Sequence, residues 1–107
     1  MAYVDKNVAL KYLANSESLF DRIRKGFLAN NKDGIEKINQ YVEDENIQDL
    51  YNYIHSIKGI SLNLGSNTLY EDSQAVLEKL KKEEINLPLI EMFIDTFKCV
   101  YDELSRM

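Results

Sequence analysis

The stretch IQDLYNYIHSIKGISLNLG, residues 47–65, carries a clear helical pattern of apolar residues. Its apolar residues recur at spacings of three, four or seven, which is the 3.6-residue period of an amphipathic helix; they are Ile47, Leu50, Ile54, Ile57 and Leu64. Gly59 lies within this pattern, four residues after the only histidine, His55, although glycine costs a helix on the order of 1 kcal/mol relative to alanine. The stretch predicts a helix over residues 47–64, ended by Gly65 as a C-terminal glycine cap.

The segments before this helix carry the same period and are separated by caps and breaks. Asp5 can cap a short first helix, and Asn15-Ser16 then interrupts the pattern and offers a new cap. A second helix is predicted from about Glu17 to Asn30. The sequence NNKDG at 30–34 marks a kink or break before the apolar period resumes, and that segment ends at 43–46.

Two more helices are predicted after Gly65. One covers roughly Thr68–Glu84, and Pro88 fits the first turn of a last helix, whose apolar stripe is Leu89, Ile90, Phe93, Ile94, Phe97, Val100, Tyr101 and Leu104. Short connections make consecutive helices antiparallel neighbours. We therefore predict an all-α fold, an antiparallel up-down four-helix bundle with a short additional N-terminal helix, in a single domain over residues 1–107.

Composition excludes several classes of function. The chain has 107 residues, 45% of them hydrophobic, which is enough for one core. A net charge of −5 argues against nucleic-acid binding, which needs a basic surface. No apolar run approaches the roughly 18 residues of a membrane span, and Cys99 is a lone cysteine. We expect a cytoplasmic protein without disulfides or membrane insertion.

His55 is predicted to point away from the core. At about 100° per residue, the apolar positions Leu50, Ile54 and Ile57 lie on the far side of the helix. The residues within about 60° of His55 form one surface by the same rule, here called the imidazole surface: Gln48, Tyr51, His55, Lys58, Gly59 and Leu62. This surface combines the imidazole of His55, the cation of Lys58 one turn later, and the absence of a side chain at Gly59. This arrangement suits a phosphoryl group that arrives on a ring nitrogen and leaves from it.

The same residues also allow other interpretations. Most lone surface histidines have no function, and a helical adaptor that only binds a partner is compatible with the same surface. A Cys99–His55 nucleophile pair lacks a supporting motif, and one histidine with scattered acids does not supply a metal site. No glycine loop for nucleotides is present, which argues against a kinase.

The motif His55-x-x-Lys58-Gly59, followed by Asn63-Leu64-Gly65 in a helical chain of this length, resembles the histidine-containing phosphotransfer (HPt) domain. The segments ALKYLANSESLFDRIRKGFL and LYNYIHSIKGISLNLGSNTLYEDSQAVLEKLK resemble the opening helices and central hairpin of that family. One departure is Ile60, where the family usually has a small residue. Since Ile60 falls about 140° from His55, we expect it to pack against the bundle.

The resemblance implies a phosphorelay carrier in two-component signal transduction, without enzymatic activity of its own. His55 would accept a phosphoryl group from a response-regulator receiver aspartate, Lys58 would stabilise the phosphate, Gly59 would give access to the imidazole, and Gly65 would end the helix. Gln48, Tyr51 and Leu62 are the expected receiver-docking residues. Partners would be receiver domains and a hybrid sensor histidine kinase; no cofactor is expected, and magnesium would belong to the receiver.

Overall fold

Six α-helices account for most of residues 2–107, the part of the chain that the computed structural model describes, and no strand occurs among these residues. The helices are α1 Lys6–Tyr12, α2 Glu17–Asn30, α3 Gly34–Glu43, α4 Ile47–Ser61, α5 Asn67–Lys81 and α6 Leu87–Ser105. The predicted all-α class is confirmed. None of the helices in the described range is long and apolar enough to cross a membrane.

Short polar side chains fix where five of the helices begin. In each case the side-chain oxygen of the N-cap residue accepts a hydrogen bond from a backbone N–H in the first turn, which would otherwise lack a partner; the N-caps are Asp5, Ser16, Asn46, Ser66 and Asn86. The break predicted at 30–34 is complete, because Asn31, Lys32 and Asp33 form a turn that makes α3 a separate helix.

Four helices end in the same backbone motif. A residue with positive φ follows the helix, and the next N–H reaches back to the carbonyl five residues earlier, which is the Schellman pattern. At the end of α4 the positive-φ residue is Gly65, and Ser66 N donates to Ser61 O at 3.0 Å. The other three ends place Ala14, Glu45 and Glu83 in this conformation, which L-residues adopt at a cost of about 1–2 kcal/mol.

The sequence predicted two helix boundaries imperfectly. Helix α4 ends at Ser61, three residues before the predicted end, because residues 62–65 form the closing turn. Gly59 consequently lies in the last turn of α4. Helix α5 ends at Lys81, before the predicted Glu84, because Glu83 adopts positive φ and ends the helix there.

One apolar core joins all six helices. Helix α4 packs most extensively on α5, α5 packs on α6, and α3 and α2 contact α4 and α6 respectively. Buried aromatic rings of α2 and α6 contact one another, with Phe27 and Phe97 centroids 5.6 Å apart. The predicted stripe of α6 faces this core, since Ile90, Phe93 and Val100 are buried.

Candidate functional site

His55 lies on the solvent side of α4. The buried residues of this helix are Leu50, Ile54, Ile57 and Ser61, whereas His55 is exposed. The predicted outward orientation is confirmed. A rigid helix held by its opposite face therefore presents the imidazole to solvent.

The ring of Tyr51 lies against the imidazole on the side that faces the N-terminus of α4. The two rings stack with centroids 5.8 Å apart and an interplanar angle of 25°, and Tyr51 also packs against the core. Side chains on a helix lean toward its N-terminus, so the imidazole leans over Tyr51, one turn earlier. The opposite side of the ring, toward Gly59, carries no such neighbour from position 59.

Gly59 leaves open space on that side. A Cβ built on Gly59 meets no atom within 4 Å outside the local helix backbone, so packing does not demand glycine at this position. By contrast, a Cβ at Gly34 would lie 2.3 Å from the hydroxyl oxygen of Tyr53. The space next to His55 is therefore a feature of the surface, and any side chain placed at 59 would lean toward the imidazole.

Lys58 is held by an aromatic ring of the neighbouring helix. Its Nζ lies 5.3 Å from the ring centroid of Tyr70 on α5, a cation–π distance. Lys58 forms no salt bridge with any carboxylate of residues 2–107. Tyr70 is not among the site residues predicted from the sequence, although a hairpin that turns near Leu64 brings positions 58 and 70 opposite one another.

The remaining members of the imidazole surface differ in exposure. Gln48 is exposed, and its Nε2 donates to Oδ1 of Asn52 at 3.2 Å. Leu62 is half-buried in the closing turn of α4. Ile60 is half-buried and packs against the core, as expected from its angle to His55.

Gly65 shapes the turn that follows the site. Its φ is +84°, and a Cβ there would lie 2.2 Å from the carbonyl oxygen of Asp5. Its own carbonyl accepts a hydrogen bond from Asp5 N at 2.9 Å. Gly65 therefore ends the helical path as predicted, and it also anchors the segment that leads into α1.

Two alternative chemistries find no support in the geometry of residues 2–107. No cluster of three or more histidine, cysteine, aspartate or glutamate residues there could hold a metal ion. Cys99 is half-buried on α6, among Tyr3, Asp102 and Glu103 and not beside His55. Comparison of the chain with protein-family models, curated proteins and solved structures found no match.

Proposed function

We propose that this protein is a phosphorelay carrier of the HPt class, which accepts a phosphoryl group on His55 and passes it on in two-component signal transduction. The observation that carries this proposal is the solvent-facing imidazole, stacked on Tyr51 on one side and bordered by open space at Gly59 on the other. The proposal includes an antiparallel up-down arrangement of four main helices, in which α2 and α3 together make up one of the four.

The transfer step needs little from the carrier besides a well-placed nitrogen. Phosphoryl transfer passes through a loose, in-line transition state, so positioning and electrostatics supply most of the catalysis. The lone pair of the imidazole Nε2 forms the new N–P bond while the P–O bond of the receiver's aspartyl phosphate breaks. The aspartate carboxylate leaves with the electron pair of that bond. Transfer of the phosphoryl group from His55 to the aspartate of a second receiver follows these steps in reverse.

The neighbours of His55 would contribute in different ways. The stacked ring of Tyr51 would restrict the rotation of the imidazole and so favour one approach direction. The ammonium of Lys58 would offset negative charge on the phosphoryl oxygens. The space at Gly59 would admit the receiver's aspartyl phosphate. No carboxylate set for a metal ion lies beside His55 in residues 2–107, so the magnesium would be held by the receiver.

The proposed partners are receiver domains and a hybrid sensor histidine kinase, in the cytoplasm. Docking would use Gln48, Tyr51 and Leu62 around the imidazole. A transient carrier needs a small interface that releases quickly, and partly exposed apolar groups next to a reactive side chain suit such a contact.

A helical adaptor that docks a signalling partner without phosphotransfer is the alternative. Incubation of the chain with a receiver carrying labelled aspartyl phosphate separates the possibilities. Our proposal predicts that label moves to the chain, and that His55→Gln abolishes the movement while keeping the helical circular dichroism spectrum. Binding without transfer would instead support the adaptor, and consumption of ATP by the chain alone would indicate an enzyme.

A further inference from the structure

Lys58 has a partner that the transfer chemistry does not use. Its ammonium lies over the ring of Tyr70, 5.3 Å from the centroid, and both side chains are half-buried. Tyr70 stands in the first turn of α5, whose start is fixed by the N-cap Ser66 and by the closing turn at Gly65. The ring therefore has a defined position relative to α4.

The same ammonium can reach a group on His55. Side chains three residues apart on a helix are neighbours, and the lysine stem is flexible enough to redirect its charge. A neutral imidazole offers this cation no negative charge. A phosphorylated imidazole does, and hydrogen bonds between an ammonium and a phosphoryl oxygen are among the strong ones in proteins. A cation–π contact at a partly exposed site is weaker.

We propose that Tyr70 is a positioning residue that holds Lys58 in the unphosphorylated protein and yields it to the phosphoryl group once His55 is modified. This inference rests on the proposed function. The Lys58–Tyr70 contact then stabilises the unphosphorylated state, so Tyr70 shifts the phosphotransfer equilibrium toward the phosphorylated receiver. Because the two contacts compete for one ammonium, removing the ring favours phosphorylation.

Nuclear magnetic resonance of the lysine ε-methylene groups tests the contact directly. The ring current of Tyr70 should shift the Lys58 resonances upfield from those of the exposed lysines. Lys6 provides an internal control, because its Nζ lies 5.8 Å from the ring centroid of Phe20, in contact with helix α2 and not with α4. Phosphorylation of the chain with phosphoramidate, which transfers its phosphoryl group to histidine and releases ammonia, should move the Lys58 resonances downfield and leave those of Lys6 unchanged.

Variants of Tyr70 test the energetic consequence. Tyr70→Leu should shift the phosphotransfer equilibrium with a receiver toward the phosphorylated chain by about two- to fivefold, the factor that corresponds to a cation–π contact at a partly exposed site. Tyr70→Phe, which keeps the ring, should behave as the wild type. In a Lys58→Met background Tyr70→Leu should have no further effect, since the ammonium that the ring would hold is absent.

The failures of the two proposals are distinguishable. Unshifted Lys58 resonances in the free wild-type chain, or resonances that stay upfield after phosphorylation, would overturn the role of Tyr70 even if transfer occurs. An equal effect of Tyr70→Leu with and without Lys58 would also overturn it, because the ring would then act independently of the ammonium. If no receiver transfers its phosphoryl group to His55, the proposed function fails, whatever the free-chain resonances and the reaction with phosphoramidate show.

Discussion

Replacing Gly59 by leucine separates the folding of α4 from access to the imidazole. A Cβ at this position meets open space, so a larger side chain does not collide with the core. It would instead lean toward the N-terminus of α4 and lie over the exposed side of His55. We expect a folded protein in which the approach of the aspartyl phosphate to Nε2 is blocked or displaced.

Gly59→Leu is expected to keep or raise the stability of the protein and to lower the rate of phosphoryl transfer. Glycine costs a helix interior up to about 1 kcal/mol relative to good helix formers, so Gly59→Leu should leave stability unchanged or raise the melting temperature by up to about 4 °C. Displacement of the reacting groups by about 1 Å can cost roughly 100-fold in rate. Transfer from the phosphorylated receiver should therefore slow by about that factor in Gly59→Leu, and less in Gly59→Ala.

Gly26 supplies the matched control. It lies in the last part of α2, and a Cβ built on it also meets nothing within 4 Å. Gly26→Ala and Gly59→Ala should raise the melting temperature similarly in thermal unfolding followed by circular dichroism, while Gly26→Ala leaves the rate of label transfer unchanged. Normal transfer by a folded Gly59→Leu variant would refute the access argument.

Three further predictions concern docking and stability. Leu62→Asp should weaken receiver binding in a titration, with a loss of about 1 kcal/mol or less in unfolding free energy because the side chain is only half-buried; wild-type affinity would remove Leu62 from the docking surface. Burial, followed by the charge of Asp33 and then Tyr41, raises the pKa of Tyr53 to about 12 from its ordinary value of 10.0. Folding favours the neutral phenol, so the contribution of Tyr53 to the free energy of unfolding is complete below about pH 10 and is lost as the pH rises from 10 to 12. Tyr53→Phe should abolish that part of the alkaline loss of stability in denaturant titrations. An unchanged dependence of stability on pH would exclude Tyr53 as the source of the loss. Glu83 has a φ of +58°, so Glu83→Gly should stabilise the protein by about 1 kcal/mol in the same assay, whereas a lower stability would show that the left-handed conformation carries no strain.

The starts of the helices could be predicted from the sequence because their causes are local. Asp5 and Ser16 cap helices in the structure as the sequence indicated, since an N-cap side chain bonds backbone groups only two or three residues away. The outward orientation of His55 followed from helical periodicity for the same reason. In both cases the deciding interactions lie within one or two turns of the residue concerned.

The features that the sequence did not reveal depend on contacts between distant segments or on strained backbone. The Lys58–Tyr70 contact joins two helices, and the stacking of Tyr51 on His55 is a choice of rotamer. Helix α5 is followed by Glu83 at positive φ, a position where glycine is the usual signal. Without that signal, the end of α5 was predicted too late.

The identity of the modified residue is the most direct test of the central proposal. The wild-type chain and the His55→Gln variant are each mixed with a receiver carrying aspartyl phosphate, and the modified site is located by mass spectrometry under alkaline conditions that preserve phosphohistidine. We expect a single phosphoryl group on His55, which is lost on brief acid treatment, and none on the variant. An unmodified wild-type chain, or a phosphoryl group on serine, threonine or tyrosine that survives acid, would contradict it.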